Sequence, residues 1–198
     1  MTSVPGKAEA IVEAVSEHFD RVIRPRRDCE MAYLFQHVDD ANSFVHVAAW
    51  RGPWQNDDLR SAALPRLGSL LDRPALVHRA LQVESRERIG VPIGAMGCTM
   101  VEGPATGSER IRTAIVDVAH SALRDWSESR GLVLYRVYQD ADRPWCWAIV
   151  HCWQRTEDLA EFETARHEVL GSLTYDLGAG VERFAGESRA IVSRFAPS

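Results

Sequence analysis

Residues recur along this chain at one fixed spacing of 103 positions (153 − 50), the interval from Trp50 to Trp153. The same offset relates Gln36 to Gln139, Asp39 to Asp142 and Arg27 to Arg130. It also relates two strings: Leu67-Gly68-Ser69-Leu70 matches Leu170-Gly171-Ser172-Leu173, and Glu84-Ser85-Arg86 matches Glu187-Ser188-Arg189. No gap is needed across this span. Self-similarity at a fixed period marks a repeated structural unit, and it constrains the fold more than any local propensity does. The chain is therefore read as two copies of one unit, residues 7–92 and 93–198.

The second copy shows the order of elements more clearly. Gly94 to Val101 reads as a strand that stops at Gly103-Pro104. A helix follows from Ser108, with Ile111, Ile115, Val118, Ala122, Leu123 and Trp126 at helical spacing, and Gly131 ends it. Leu132–Gln139 and Trp145–Trp153 read as strands joined by an acidic turn. Thr156 caps a second helix running to about Leu173, and Arg189–Phe195 is the last strand. The order β-α-β-β-α-β is the ferredoxin-like unit. In the first copy the helix Ala8–Ile23, the strands Glu30–His37 and Ser43–Trp50, the helix Asn56–Leu71 and a strand within Val77–Val91 follow the same order. The counterpart of the first strand is missing there. One such unit leaves a sheet face uncovered, and two packed sheet to sheet would cover both. The expected class is therefore α+β: two tandem ferredoxin-like units forming a barrel within one chain.

Composition narrows the function. With 45% hydrophobic residues in 198 the chain can build cores, and no apolar run approaches the roughly 18 residues of a membrane helix. The N-terminal segment MTSVPGKAEAIVEAVSEHFD has no apolar signal region. A net charge of −5 argues against nucleic acid or an anionic membrane as partner. A soluble cytoplasmic protein is expected. Cys29, Cys98, Cys146 and Cys152 contain no CxxC pair, and the seven histidines show no close ligand spacing, so no metal site is expected.

Alternation along the strands supplies the candidate site. Trp145, Trp147, Ile149, His151 and Trp153 share one face, opposite Cys146, Ala148, Val150 and Cys152. In the first copy Phe44, His46, Ala48 and Trp50 share a face. The preceding strands add Arg136 and Tyr138 in one copy and Tyr33 and Phe35 in the other. An aromatic lining with a few convergent polar groups suits a flat conjugated ligand. The plainer alternative is that the aromatic residues are core and the histidines structural.

Met31–Arg51 (MAYLFQHVDDANSFVHVAAWR) and Leu134–Glu163 (LYRVYQDADRPWCWAIVHCWQRTEDLAEFE) resemble the strand–turn–strand of antibiotic biosynthesis monooxygenases. The shared pattern is an acidic turn, an apolar strand ending in Trp, and a short polar turn into a helix. The resemblance spans both halves and implies the dimeric α+β barrel, here fused into one chain. It also implies oxidation of anthrone-type or other aromatic polyketides to quinones by O₂, without metal, haem or flavin. The strand-end Trp of the family matches Trp50 and Trp153. The family's pocket Asn is replaced by His46 and Ile149, its His by Phe35 and Tyr138, and its Tyr by Asn56 and Leu159. A haem-binding branch places its axial ligand near Gly171-Ser172, which are not ligands, and His167 aligns elsewhere.

The expected activity is thus a cofactor-independent monooxygenase, or related tailoring enzyme, on a small aromatic molecule. His46, His151 and Tyr138 are the candidate bases or hydrogen-bond partners, and Arg136 would stabilise an enolate. Tyr33, Phe35, Phe44, Trp50, Trp147 and Trp153 would shape the binding pockets. The alternative is a non-catalytic binding or assembly module of the same fold. A homodimer remains open in either case.

Overall fold

A computed structural model describes residues 1–51, 67–72, 80–88, 91–104, 109, 112–117, 131–164 and 180–193. Helix α1 (Ala8–His18) runs on through a π-helical turn, Phe19–Ile23. Seven strands follow: β1 (Cys29–His37), β2 (Phe44–Trp50), β3 (Ala80–Glu87), β4 (Ala95–Glu102), β5 (Leu132–Asp140), β6 (Cys146–Trp153) and β7 (Gly180–Ser193). Residues 112–117 and 156–164 are helical. The expected helix over Asn56–Leu71 lies mostly outside the described residues. The last strand begins at Gly180, nine residues before the expected Arg189 (189 − 180), and is 14 residues long.

The π turn has a cause in the sequence. Ile11, Val15, Phe19 and Ile23 are spaced four apart, and on a 3.6-residue helix such a row drifts about 40° per step. The wider turn, closed by the Arg24 N–H donating to the Phe19 carbonyl at 2.7 Å, keeps Phe19 and Ile23 buried with Ile11 and Val15.

The chain forms two compact units, Met1–Leu76 with Gly186–Ser198, and Val77–Ala185. In the second unit the bonded order is β7-β4-β6-β5-β3. Its first four members are the fourth, first, third and second strands of a β-α-β-β-α-β unit, the ferredoxin-like order. β3 adds to the outer side of β5. In the first unit β1 pairs with β2 on one side and with Gly186–Ser193 of β7 on the other, both antiparallel. The contact units thus divide the chain differently from the sequence copies: β3 belongs with the second unit and the end of β7 with the first.

Each unit builds its central hairpin in the same register. Tyr33 lies opposite Val47 in β1–β2, and Arg136 lies opposite Val150 in β5–β6. Every other rung agrees at the offset of 103, as does the irregularity before Met31 and before Leu134. The turns are tied alike. The Gln36 amide donates to the Ala41 carbonyl at 2.6 Å, and the Gln139 amide donates to the Pro144 carbonyl at 2.8 Å. Asp40 and Asp140 accept backbone N–H groups within their turns, which is how an acidic residue closes a short loop.

The outer strands follow a different offset. Ser85 lies opposite Arg136, and Ile191 lies opposite Tyr33, so β3 and β7 correspond at 106 (191 − 85). The Glu-Ser-Arg strings therefore do not occupy equivalent rungs. Each strand carries a bulge, which leaves Val83 and Arg189 out of the ladder. Arg189 donates to Gln36 and to Glu9, tying the end of β7 to α1.

The first unit has only a short segment in place of a first strand. Thr2 bridges Ser43 and Ser3 bridges Leu71, both antiparallel. Met1 and Phe44 exchange backbone hydrogen bonds at 2.8 Å. Met1–Ser3 thus lies beside the start of β2 as β4 lies beside β6.

Gly131, which the sequence assigns to a helix end, has φ of 78° directly before β5. That conformation favours glycine, and a β-carbon there would also press on the Asp158 carboxylate. Among the described residues no helix is long and apolar enough to cross a membrane.

Candidate functional site

β6 carries its large side chains toward the helices. Trp147, Ile149 and Trp153 pack in one cluster with Ile115 and with Leu159 and Phe162 of the 156–164 helix. Trp147 and Trp153, read from sequence as pocket walls, are core residues, 1% and 0% exposed. The reason is size: an indole on a central strand under a helix fills the sheet–helix gap itself. Trp153 meets Phe162 at 5.0 Å between ring centroids.

His151 shares this face and is 1% exposed. The Trp153 indole N–H donates to its Nδ1 at 2.8 Å. Its Nε2 stands 3.7 Å from Oε1 of Glu163, a residue of the same helix that is 26% exposed. Nε2 has no hydrogen-bond partner among the described residues. Burial pushes the His151 pKa down to about 3, so the ring is neutral at neutral pH. A neutral imidazole whose Nδ1 accepts carries its proton on Nε2. In this state His151 presents an N–H on the side of Glu163, at a distance longer than a hydrogen bond, and has no lone pair free to act as a base.

Room for the imidazole comes from β4. Gly97 lies opposite His151, and a β-carbon at that position would overlap the ring. The helix brings Glu163 to the site, and sequence reading did not select it. The only signal available was its place one residue after Phe162 on a helix facing the Trp strand.

Arg136 and Tyr138 do not join this cluster. They lie opposite Val150 and Ala148, on the other face of the sheet from His151 and Ile149. Arg136 is 5% exposed, and its guanidinium lies beside the Tyr138 hydroxyl. Burial pushes the Tyr138 phenol up, and the Arg136 charge beside it offsets this only in part. The phenol therefore stays protonated and is suited to hydrogen bonding rather than to taking a proton. Burial likewise raises the Cys98 thiol on this sheet, to about 12. All four cysteines are buried thiols.

Proteins of known structure share this arrangement of strands. A proposed monooxygenase from Fusobacterium nucleatum superposes with a TM-score of 0.77 at 9% identity, over 99% of this chain and 92% of its own. An anthrone oxidase-like protein superposes with a TM-score of 0.68 at 11% identity, over 100% and 93%. A ferredoxin-fold protein from Listeria monocytogenes, related to antibiotic biosynthesis monooxygenases, gives 0.55 at 9% identity, over 87% and 89%. The chain has the fold of the antibiotic biosynthesis monooxygenases. No family sequence model matches it, and no curated protein sequence does.

Within this monooxygenase fold the first unit is furnished differently. Phe44 is buried against α1 in a cluster with Ile11, Val15 and Phe19, and Trp50 packs at its edge. His46 has an exposed surface, yet its ring lies 5.3 Å from that of Phe19, and burial of the imidazole, with the His18 charge beside it, pushes its pKa down to about 4. Tyr33 and Phe35 lie on the opposite face and stack on each other, 5.6 Å apart at 14°. Two residues before Trp50, where the second unit has His151, stands Ala48. Trp50 is covered instead by the Arg26 guanidinium at 5.1 Å. Among the described residues no cluster of three or more His, Cys, Asp or Glu is placed to hold a metal ion.

Proposed function

We propose that this chain is a monooxygenase of the anthrone-oxidising type, working at the partly exposed Glu163 of the second unit, at the margin of the Trp147–Trp153 core. The observation that carries the reading is the alignment of Trp153, His151 and Glu163, a polar line set into an otherwise apolar core. The fold shared with an anthrone oxidase-like protein supports it.

The substrate class is an activated methylene flanked by phenolic rings. Such a carbon acid supplies its own electrons. Glu163, partly exposed, accepts the methylene proton, and the His151 Nε2–H, 3.7 Å away, is within reach of a bond to the carboxylate when the site closes on substrate. The resulting carbanion gives an electron to O₂, and the radical pair combines to a peroxide bound to carbon. Protonation gives a hydroperoxide, and loss of water leaves the carbonyl. One oxygen atom of O₂ enters the product and the other leaves as water, so R₂CH₂ and O₂ become R₂CO and H₂O. The low-polarity surroundings strengthen the interaction between the imidazole N–H and the carboxylate.

The test is O₂ uptake with an anthrone in chelator-treated buffer, with ¹⁸O₂ to follow the new carbonyl. Turnover above the spontaneous rate, with one labelled atom per product, is the expected result. A rate equal to the blank across several anthrones and dihydroquinones overturns the reading.

One observation favours a second reading, ligand binding without turnover. Trp147 and Trp153 are fully buried in the face that a substrate would share. Saturable quenching of tryptophan fluorescence by an anthraquinone, with no O₂ consumption from any anthrone, selects that reading.

A further inference from the structure

The strand-end tryptophan occurs in both units, and only one of the two has an acceptor for its N–H among the residues before it on the same face. In the first unit Ala48 precedes Trp50 by two, and the indole packs beneath Arg26. In the second unit His151 precedes Trp153 by two, and the indole N–H reaches Nδ1 at 2.8 Å. The rings meet edge on, at 84°, with centroids 5.9 Å apart.

We infer that Trp153 is a positioning residue, which locks His151 as the Nε2–H tautomer and so makes the imidazole a one-way donor toward Glu163. The catalytic consequence rests on the reaction proposed for this site, and the lock itself rests on geometry alone. Three contacts restrain the ring. Trp153 occupies Nδ1, Phe162 lies 4.9 Å away centroid to centroid, and the β4 backbone at Gly97 underlies it with no space for a β-carbon. With the ring in this place, moving its proton to Nδ1 would set an imidazole N–H against the indole N–H, leaving a buried donor facing a donor. Among the described residues the ionisable groups on this face are Tyr135, opposite His151 on β5, and Glu163 on the helix; β4 places Gly97 there. The sequence copies are therefore unequal: the lock belongs to the second unit.

The experiment is two-bond ¹⁵N–¹H correlation NMR of the imidazoles, with His151 assigned by its disappearance in H151Q. The wild-type chain is expected to show the Nε2–H pattern for His151 and to keep it, uncharged, at pH 5. In W153F the neutral form loses its indole donor. The two tautomers are then expected to mix and the titration midpoint to move up toward the ordinary value. G97A, which displaces the ring from the opposite side, should weaken the pattern in the same direction. A wild-type His151 in the Nδ1–H form, or a spectrum unchanged by W153F, overturns the proposal. The wild-type spectrum reports the tautomer directly, so it still decides the proposal if the W153F chain fails to fold. Where anthrone turnover is measured, W153F should lower kcat roughly tenfold or more and leave KM within about twofold. A wild-type protein that consumes no O₂ but shows the Nε2–H form removes the proposed reaction and leaves the lock in place.

Discussion

Gly97 and His151 face each other across β4 and β6, and the imidazole occupies the space that a side chain on position 97 would need. A glycine in the interior of a buried strand weakens the strand by itself, so its presence marks a close approach. Here the approach is that of the His151 ring.

Gly97→Ala is therefore expected to destabilise the protein by about 1–3 kcal/mol, the usual range for overpacking. Gly180→Ala serves as the comparison, because a β-carbon there meets nothing closer than the Glu102 carbonyl at 3.9 Å. Its effect should stay within about 0.5 kcal/mol. Urea denaturation of the two variants checks both.

Acid should unfold the protein through His151. Burial lowers its folded pKa from 6.5 to about 3, so between these values the unfolded chain binds a proton that the folded chain does not. Stability from this group is complete above pH 6.5 and is lost as pH falls toward 3, on the order of a few kcal/mol in all. His18 and His46, also lowered by burial, act in the same direction, so H151Q removes only part of the effect. The urea midpoint measured from pH 7 to 4 should fall, and H151Q should flatten the slope. A wild-type midpoint independent of pH over that range would contradict the buried neutral ring.

Glu163→Gln keeps the shape of the side chain and removes the proton acceptor. Turnover of an anthrone should fall by roughly 100-fold, the order expected for loss of a general base. Stability should change little, because Glu163 is 26% exposed. Retention of full O₂ uptake in this variant would transfer the proton-accepting role elsewhere.

The two turn-tying glutamines should differ in weight. Gln36 is 9% exposed, donates to the Ala41 carbonyl and accepts from Arg189. Gln139 makes the corresponding bond to the Pro144 carbonyl in an exposed setting. Gln36→Ala should cost about 1–3 kcal/mol and Gln139→Ala less than about 1 kcal/mol, since a buried group left unsatisfied costs more. Thermal or urea melts of the pair give the comparison.

Much of the architecture was legible because it depends on local periodicity. The alternation of Ser43 to Trp50 and of Trp145 to Trp153 predicts strands, each observed one residue shorter at its start, and the Asp-rich segments between hairpin strands predict their turns. The shared offset of 103 predicts a common hairpin register, and the rungs agree with it. The early start of β7 was not legible, because a strand that pairs along two different neighbours shows no single boundary in its sequence. Nor was the change of offset at the outer strands, where three added residues move Ile191 rather than Ser188 onto the rung equivalent to that of Ser85.

The site was legible as residue types and not as a constellation. Alternation places His151 with Trp153 and separates it from Arg136 and Tyr138 only after the register of β5 against β6 is known. Whether a bulky face lines a pocket or fills a core depends on what lies above it, and residues 156–164 supply that answer by setting Leu159 and Phe162 against the indoles. Glu163 reaches His151 through the same docking. Sequence by itself determined the strands, the acidic turns and the repeated spacing, because each follows from the chemistry of neighbouring residues. Tertiary structure alone decided the hydrogen-bond direction at His151. That direction depends on an indole, a carboxylate and a missing β-carbon, brought together by the end of β6, a helix and β4.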